Sequence, residues 1–114
     1  MSIQIERVIG STGPINVTND PATTGPIVLG PSAGGLLHCV STSTGTAITV
    51  SWYAQYAATS SPFKLFDATN VVVTSSIAPG NCYEMPSALF AAAQVRVVAE
   101  TAGQSAVVFF SLKG

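Results

Sequence analysis

Along Thr46–Tyr53, "TAITVSWY", Ile48, Val50 and Trp52 alternate with Thr49, Ser51 and Tyr53. A period of two places these sets on opposite faces of a strand. Related patterning predicts further strands over Ser2–Ile9, Leu36–Ser41, Phe63–Phe66, Val71–Ile77, Val95–Glu100 and Ala106–Leu112. In the first of these, Ile3, Ile5, Arg7 and Ile9 alternate with Ser2, Gln4, Glu6 and Val8. The segments are rich in the β-branched and aromatic residues that suit a pleated surface. They are separated by turn chemistry: Thr44-Gly45, Ser61-Pro62, Asp67-Ala68-Thr69-Asn70, Pro79-Gly80 and Ala102-Gly103. One stretch, "PSALFAAA" (Pro86–Ala93), reads as helix, started by Pro86 and no more than two turns long.

Gly10–Gly35 interrupts the pattern with Gly, Pro and Thr. Two short extended pieces stand inside it, near Ile15–Thr18 and Pro26–Leu29. Proline lacks the donor that a central strand uses, so these pieces belong at a sheet edge or in an arm. Short strands without the helices of a parallel α/β sheet predict one all-β domain over 1–114. Its expected form is an antiparallel, jelly-roll-like sandwich or barrel. The expected core is Ile3, Ile5, Leu37, Val40, Ile48, Val50, Trp52, Leu65, Val72, Ile77, Leu89, Val95, Val97, Val107 and Phe109. The final segment, "SAVVFFSLKG", is apolar on both faces. With Phe109 assigned to the core, Phe110 and Leu112 need another cover, which a neighbouring chain would supply.

Charge changes the picture. Asp, Glu, Lys and Arg make up 8% of the 114 residues, against about 25% in ordinary soluble domains. Ser, Thr, Gly, Asn and Gln take the polar role instead. Four basic residues and a net charge of −1 cannot neutralise a run of phosphates, so no nucleic-acid partner is expected. A polybasic membrane patch is excluded on the same ground, and no apolar run approaches the ~18 residues of a span. The start, "MSIQIERVIG", has neither the basic region nor the apolar stretch of a secretory signal. Synthesis in a cytosol is therefore expected, and the sequon Asn16-Val17-Thr18 is read as chance.

The chain offers little chemistry. His38 has no second histidine to pair with. With Cys39 and Cys82 it supplies at most three zinc ligands, at spacings that match no known motif. Both cysteines are expected to stay reduced. No G-x-S-x-G elbow, clustered calcium loop or phosphate-cradling loop occurs. The five carboxylates each have a turn or surface role available, which leaves no evident pair for glycoside hydrolysis. No catalytic, metal or cofactor site is expected. Trp52, Tyr53, Tyr56, Phe63 and Phe66 cluster in sequence. They would serve as alternate core and interface rings, or as a sugar-binding platform.

From Ile48 onward the order of elements resembles that of small virion proteins of tailed bacteriophages. The residues concerned are "ITVSWYA", "FKLFDATNVVVTSSIAPGNCYEMPSALFAAAQVRVVAE" and the closing "VVFFSLKG". The shared order is an aromatic-bearing strand, an Asp-containing turn, a short Pro-started helix and a final apolar strand. The resemblance covers about half the chain and rests on structural motifs. It implies a capsid decoration (cement) protein, often trimeric, bound to a major capsid protein on the virion surface. It also implies an arm that reaches a neighbour. Residues 10–35 have the composition for such an arm, with Ile15, Val17, Ile27 and Leu29 as anchors and Phe110 and Leu112 as further contacts. Low charge fits this reading, because interface cores are poor in Lys, Glu and Asp. The alternatives are a tail or fibre module, or a carbohydrate-binding β-sandwich contacting a host surface.

Overall fold

A computed structural model describes residues 10–114, with side chains from residue 13 onward. The expected strand Ser2–Ile9 and the expected core residues Ile3 and Ile5 lie outside the described residues. Nine strands follow: β1 (Gly10–Val17), β2 (Ile27–Val28), β3 (Gly34–Thr42), β4 (Ile48–Gln55), β5 (Phe63–Lys64), β6 (Thr74–Ile77), β7 (Cys82–Glu84), β8 (Gln94–Ala99) and β9 (Ala106–Lys113). They form two antiparallel sheets. The first has the order β1-β9-β3-β7. The second has the order β2-β8-β4-β5, with β6 also paired to β4.

β5 and β6 share one edge of β4, because β8 holds the other edge. Counted as one position, they turn the two sheet orders into 1-8-3-6 and 2-7-4-5. This is the connectivity of a jelly roll, in which consecutive strands often cross between sheets. The expected all-β sandwich is the observed fold. Between β5 and β6 lies a tight turn built on Asp67. Its Oδ1 accepts from the Thr69 amide (2.8 Å), the Thr69 hydroxyl (2.7 Å) and the Val71 amide (3.0 Å). Asn70 takes the left-handed conformation there, with φ 63°.

The inner faces of the two sheets make one core. Trp52 of β4 meets Phe110 of β9 edge to face, with ring centroids 6.4 Å apart and planes at 73°. Both rings are fully buried. Leu37, Cys39 and Val108 pack from the first sheet, and Val50, Val95, Val97 and Ile77 from the second. The short helix is a 3₁₀ turn, Ser87–Ala91, narrower than Pro86–Ala93. It has Pro86 at its N-cap and no side-chain cap, and it carries the fully buried Leu89.

Several expectations are corrected. Val40 is exposed: Leu37 and Cys39 face inward, so strict alternation turns His38 and Val40 outward. A bulge after Cys39 then sets Ser41 opposite Val107. In β9 the phase is the reverse of that expected. Val108, Phe110 and Leu112 are buried, whereas Phe109 is 40% exposed and Val107 half-buried. Leu65 and Val72 are half-buried. β7 was not among the expected strands.

The Gly10–Gly35 segment is no loose arm. β1 and β2 are edge strands, one on each sheet. Ile15, Val17, Ile27 and Leu29 are all buried in the chain's own core. Proline explains the edge positions, and the buried alternate residues explain why the segment stays down. The six expected interface residues, Ile15, Val17, Ile27, Leu29, Phe110 and Leu112, are therefore buried in the core, with Leu112 also lining a cleft described below.

Candidate functional site

The two outer faces of the sandwich differ in chemistry. On the β2-β8-β4-β5 sheet, outward Ser51 and Gln55 are 1% and 2% exposed. The chain covers much of this side itself, although Val28 on β2 is 60% exposed. Arg96, on β8, donates through Nε to Gln55 Oε1 at 2.9 Å, and through one terminal nitrogen to the carbonyls of Pro21 (3.0 Å) and Thr24 (2.7 Å). It thereby holds the loop after β1 against the sheet. Thr24, fully buried, accepts from the Thr18 amide at 3.1 Å.

The remaining charge on this side is also paired. Lys64 Nζ lies 3.2 Å from Glu100 Oε1, and it donates to Oε2 at 3.5 Å. The Ser51 hydroxyl, and secondarily the Lys64 ammonium, hold the Glu100 carboxyl below its usual range, against the opposing effect of burial.

Among the described residues, nothing covers the outer face of the β1-β9-β3-β7 sheet. It presents Pro14 and Asn16 from β1, Val107, Phe109 and Ser111 from β9, Leu36, His38 and Val40 from β3, and Cys82 from β7. Leu36, Val40 and Phe109 are 37%, 54% and 40% exposed. Its two charged residues among those described, Glu84 and Lys113, stand at one end, opposite Leu36 and Gly34 respectively. The Phe109 ring lies against Gly13, where an added Cβ would meet it at 2.5 Å.

His38 and Ser111 meet on this face, with His38 Nε2 3.0 Å from Ser111 Oγ. A nucleophile of this kind needs its base oriented by a third group and a cleft for the reacting carbonyl. Among the described residues no carboxylate hydrogen-bonds to His38, and the pair lies on an open sheet face. No group of three potential metal ligands occurs among the described residues. Cys39 points into the core, where burial pushes its thiol up, while Cys82 pairs with outward His38 and is exposed. The two sulfurs face opposite sides of the sheet, and both are free.

One end of the sandwich gathers the other candidate features. A cleft of about 400 Å³ opens there between the starts of β3 and the ends of β7 and β9. Leu112, Met85 and Phe90 supply apolar lining, and Glu84 and Lys113 supply opposite charges. Gly35 is required beside it, because a Cβ would come within 2.8 Å of the Ser111 carbonyl and 2.9 Å of Met85 Sδ. The 3₁₀ helix leads from this cleft to the end of β4, where the Ala93 amide donates to the Gln55 carbonyl at 2.9 Å. Tyr56 and Phe63 stand just beyond, 77% and 58% exposed, with ring centroids 6.2 Å apart and planes tilted by 30°.

Comparison with protein-family models, curated proteins and solved structures returns no match. The aromatic cluster of the sequence divides on folding. Trp52 is core, Tyr53 is half-buried, and Tyr56, Phe63 and Phe66 are exposed. Sequence reasoning missed the bare face formed by Leu36, Val40 and Phe109. The signal for it was present in the apolar residues at odd positions of β9, "VVFFSLK", once the even positions are given to the core.

Proposed function

We propose that the protein is a structural, non-catalytic virion protein of the capsid decoration (cement) type. In this reading it binds the major capsid protein of a bacteriophage head as a homo-oligomer, a trimer by the resemblance. The observation that carries the reading is the bare outer face of the β1-β9-β3-β7 sheet. Val40, Val107 and Phe109 lie there among uncharged neighbours, with Leu36 beside Glu84 at one end, whereas much of the opposite sheet is covered by the chain's own loop and ion pair. Contiguous apolar surface that the fold leaves open is characteristic of docking sites. Depletion of Lys, Glu and Asp at its centre matches the composition of interface cores. The jelly-roll order adds support of a general kind, since many capsid domains use it, although fold alone does not assign function.

The contacts move from the N-terminal segment to this face. Serine at Ile15, Val17, Ile27 and Leu29 would empty the core, and would not test attachment. Val40 and Phe109 are the informative positions. Val40→Asp and Phe109→Asp should leave the circular dichroism spectrum unchanged, because both side chains lie outside the core and are partly exposed. Together they should abolish binding to undecorated capsids. Native binding should weaken little as salt is raised, since screening acts on exposed charge. Normal binding by the double variant would exclude this face as the attachment surface. A native protein that is monomeric and ignores capsids would overturn the cement reading in favour of a carbohydrate-binding β-sandwich, whereas a trimer that ignores capsids would favour a tail or fibre module.

A further inference from the structure

Tyr56 and Phe63 are not needed by the fold in the way Trp52 and Phe110 are. They are among the most exposed large apolar side chains described, yet they sit together on an anchored frame. Ala54 and Phe63 are partners in the β4–β5 ladder, which fixes one ring. The loop that joins the rings is tied to the interior through Ser60. The Ser60 amide and hydroxyl both donate to the Ala57 carbonyl, at 3.1 and 3.0 Å. The Ser60 carbonyl accepts from Gln55 Nε2 at 2.8 Å, and buried Gln55 is in turn held by Arg96. A ligand arriving here would find both rings already placed, so little side-chain entropy would be lost on binding.

The surroundings specify the ligand. Residues 55–63 carry no charge, and Thr59 and Ser61, exposed hydroxyl residues, lie in the loop that joins the two rings. Lys64, the next residue, is engaged by Glu100. Among the described residues of this loop a nucleic acid would find no free cation for its phosphates. The ring planes lie 30° apart, in contrast to the 73° edge-to-face packing of Trp52 on Phe110. Two rings with planes within 30° of each other, joined by an uncharged loop with exposed hydroxyl residues, suit a molecule with flat C–H faces and a neutral hydroxylated edge. That chemistry is a pyranose chain.

We propose that Tyr56 and Phe63 form a stacking platform for a neutral oligosaccharide, at an end of the sandwich distinct from the bare sheet face. The site is independent of capsid attachment, and its failure would leave that reading untouched.

The test uses isothermal titration of the native protein with cellohexaose, maltohexaose, xylohexaose, mannohexaose and chitohexaose. At least one should bind saturably. Tyr56→Ala and Phe63→Ala should each weaken that binding about tenfold, the scale of one lost aromatic contact. Tyr56→Phe should retain it, because the ring face and not the phenol makes the contact. The variants should unfold at the native temperature and bind undecorated capsids normally. Absence of binding to every probe would overturn the proposal, as would unchanged binding by the Tyr56→Ala/Phe63→Ala double variant. A double variant that changes the native mass in light scattering, with no saccharide bound by either protein, would assign the rings to a protein contact instead.

Discussion

Trp52 joins the two sheets at the level of a single side chain. Its ring packs on Phe110 from the opposite layer, and its indole N–H donates to Ser75 Oγ at 3.1 Å. Truncation removes buried area and leaves a cavity, and the rigid neighbours on both sheets limit collapse. Trp52→Ala should therefore cost about 3–5 kcal/mol, measured by urea unfolding. A loss under ~1 kcal/mol would be that of a surface position. Glu100 supplies a second residue-level expectation. Its carboxyl is held below its ordinary value of 4.5 by Ser51 and Lys64. A depressed folded-state value stabilises the protein above the unfolded value, and this contribution is lost as pH falls through the folded one. The thermal midpoint should drop as pH is lowered below 4.5, and Glu100→Gln should flatten part of that slope.

At the scale of elements, the far part of the loop after β1 is held by one guanidinium, while Asn19 ties its start to the Ala99 carbonyl at 2.6 Å. Arg96 is the donor to both the Pro21 and Thr24 carbonyls. Arg96→Ala should cost about 1.5–3 kcal/mol, the range for hydrogen bonds to a charged group. It should also speed amide exchange at Thr23 and Thr24 well before β4 is affected, as hydrogen exchange would show. An outcome with uniform exchange would mean that the loop does not open separately. The strands themselves were legible because a period of two is written directly in residues such as Ile48, Val50 and Trp52. The phase of β9 was not legible. Val107 and Phe109 are as apolar as Val108 and Phe110, so composition cannot choose between the faces. The choice is made by pairing, with Cys39 opposite Val108 and Leu37 opposite Phe110. The same ambiguity hid the bare face. The helix was overestimated because "SALFAAA" has helical composition but no side-chain cap, and β8 begins at Gln94, soon after the 3₁₀ turn ends.

For the whole molecule, the class of fold followed from many short strands separated by turns, but the candidate surfaces did not. The end bearing the cleft draws on Gly35, Met85, Phe90 and Leu112, which are far apart in sequence. Strand interleaving brings them together, and no local pattern records that. Likewise Arg96 meets Pro21 only because β8 lies beside β2 at the sheet edge.

That interleaving has a consequence for how the chain reaches its native state. β9 lies between β1 and β3 and supplies the ladder partners of both, with Gly10 opposite Leu112. Closing such distant contacts costs chain entropy before they stabilise anything, so folding should be slow for a domain of this size. During translation, β1 and β3 are made early and must wait for β9, with Ile15, Val17 and Leu37 uncovered on their inner sides. Few charges are available to keep such chains apart during this interval. The time before β9 emerges is therefore when the protein is most exposed to self-association, and when a chaperone would matter most.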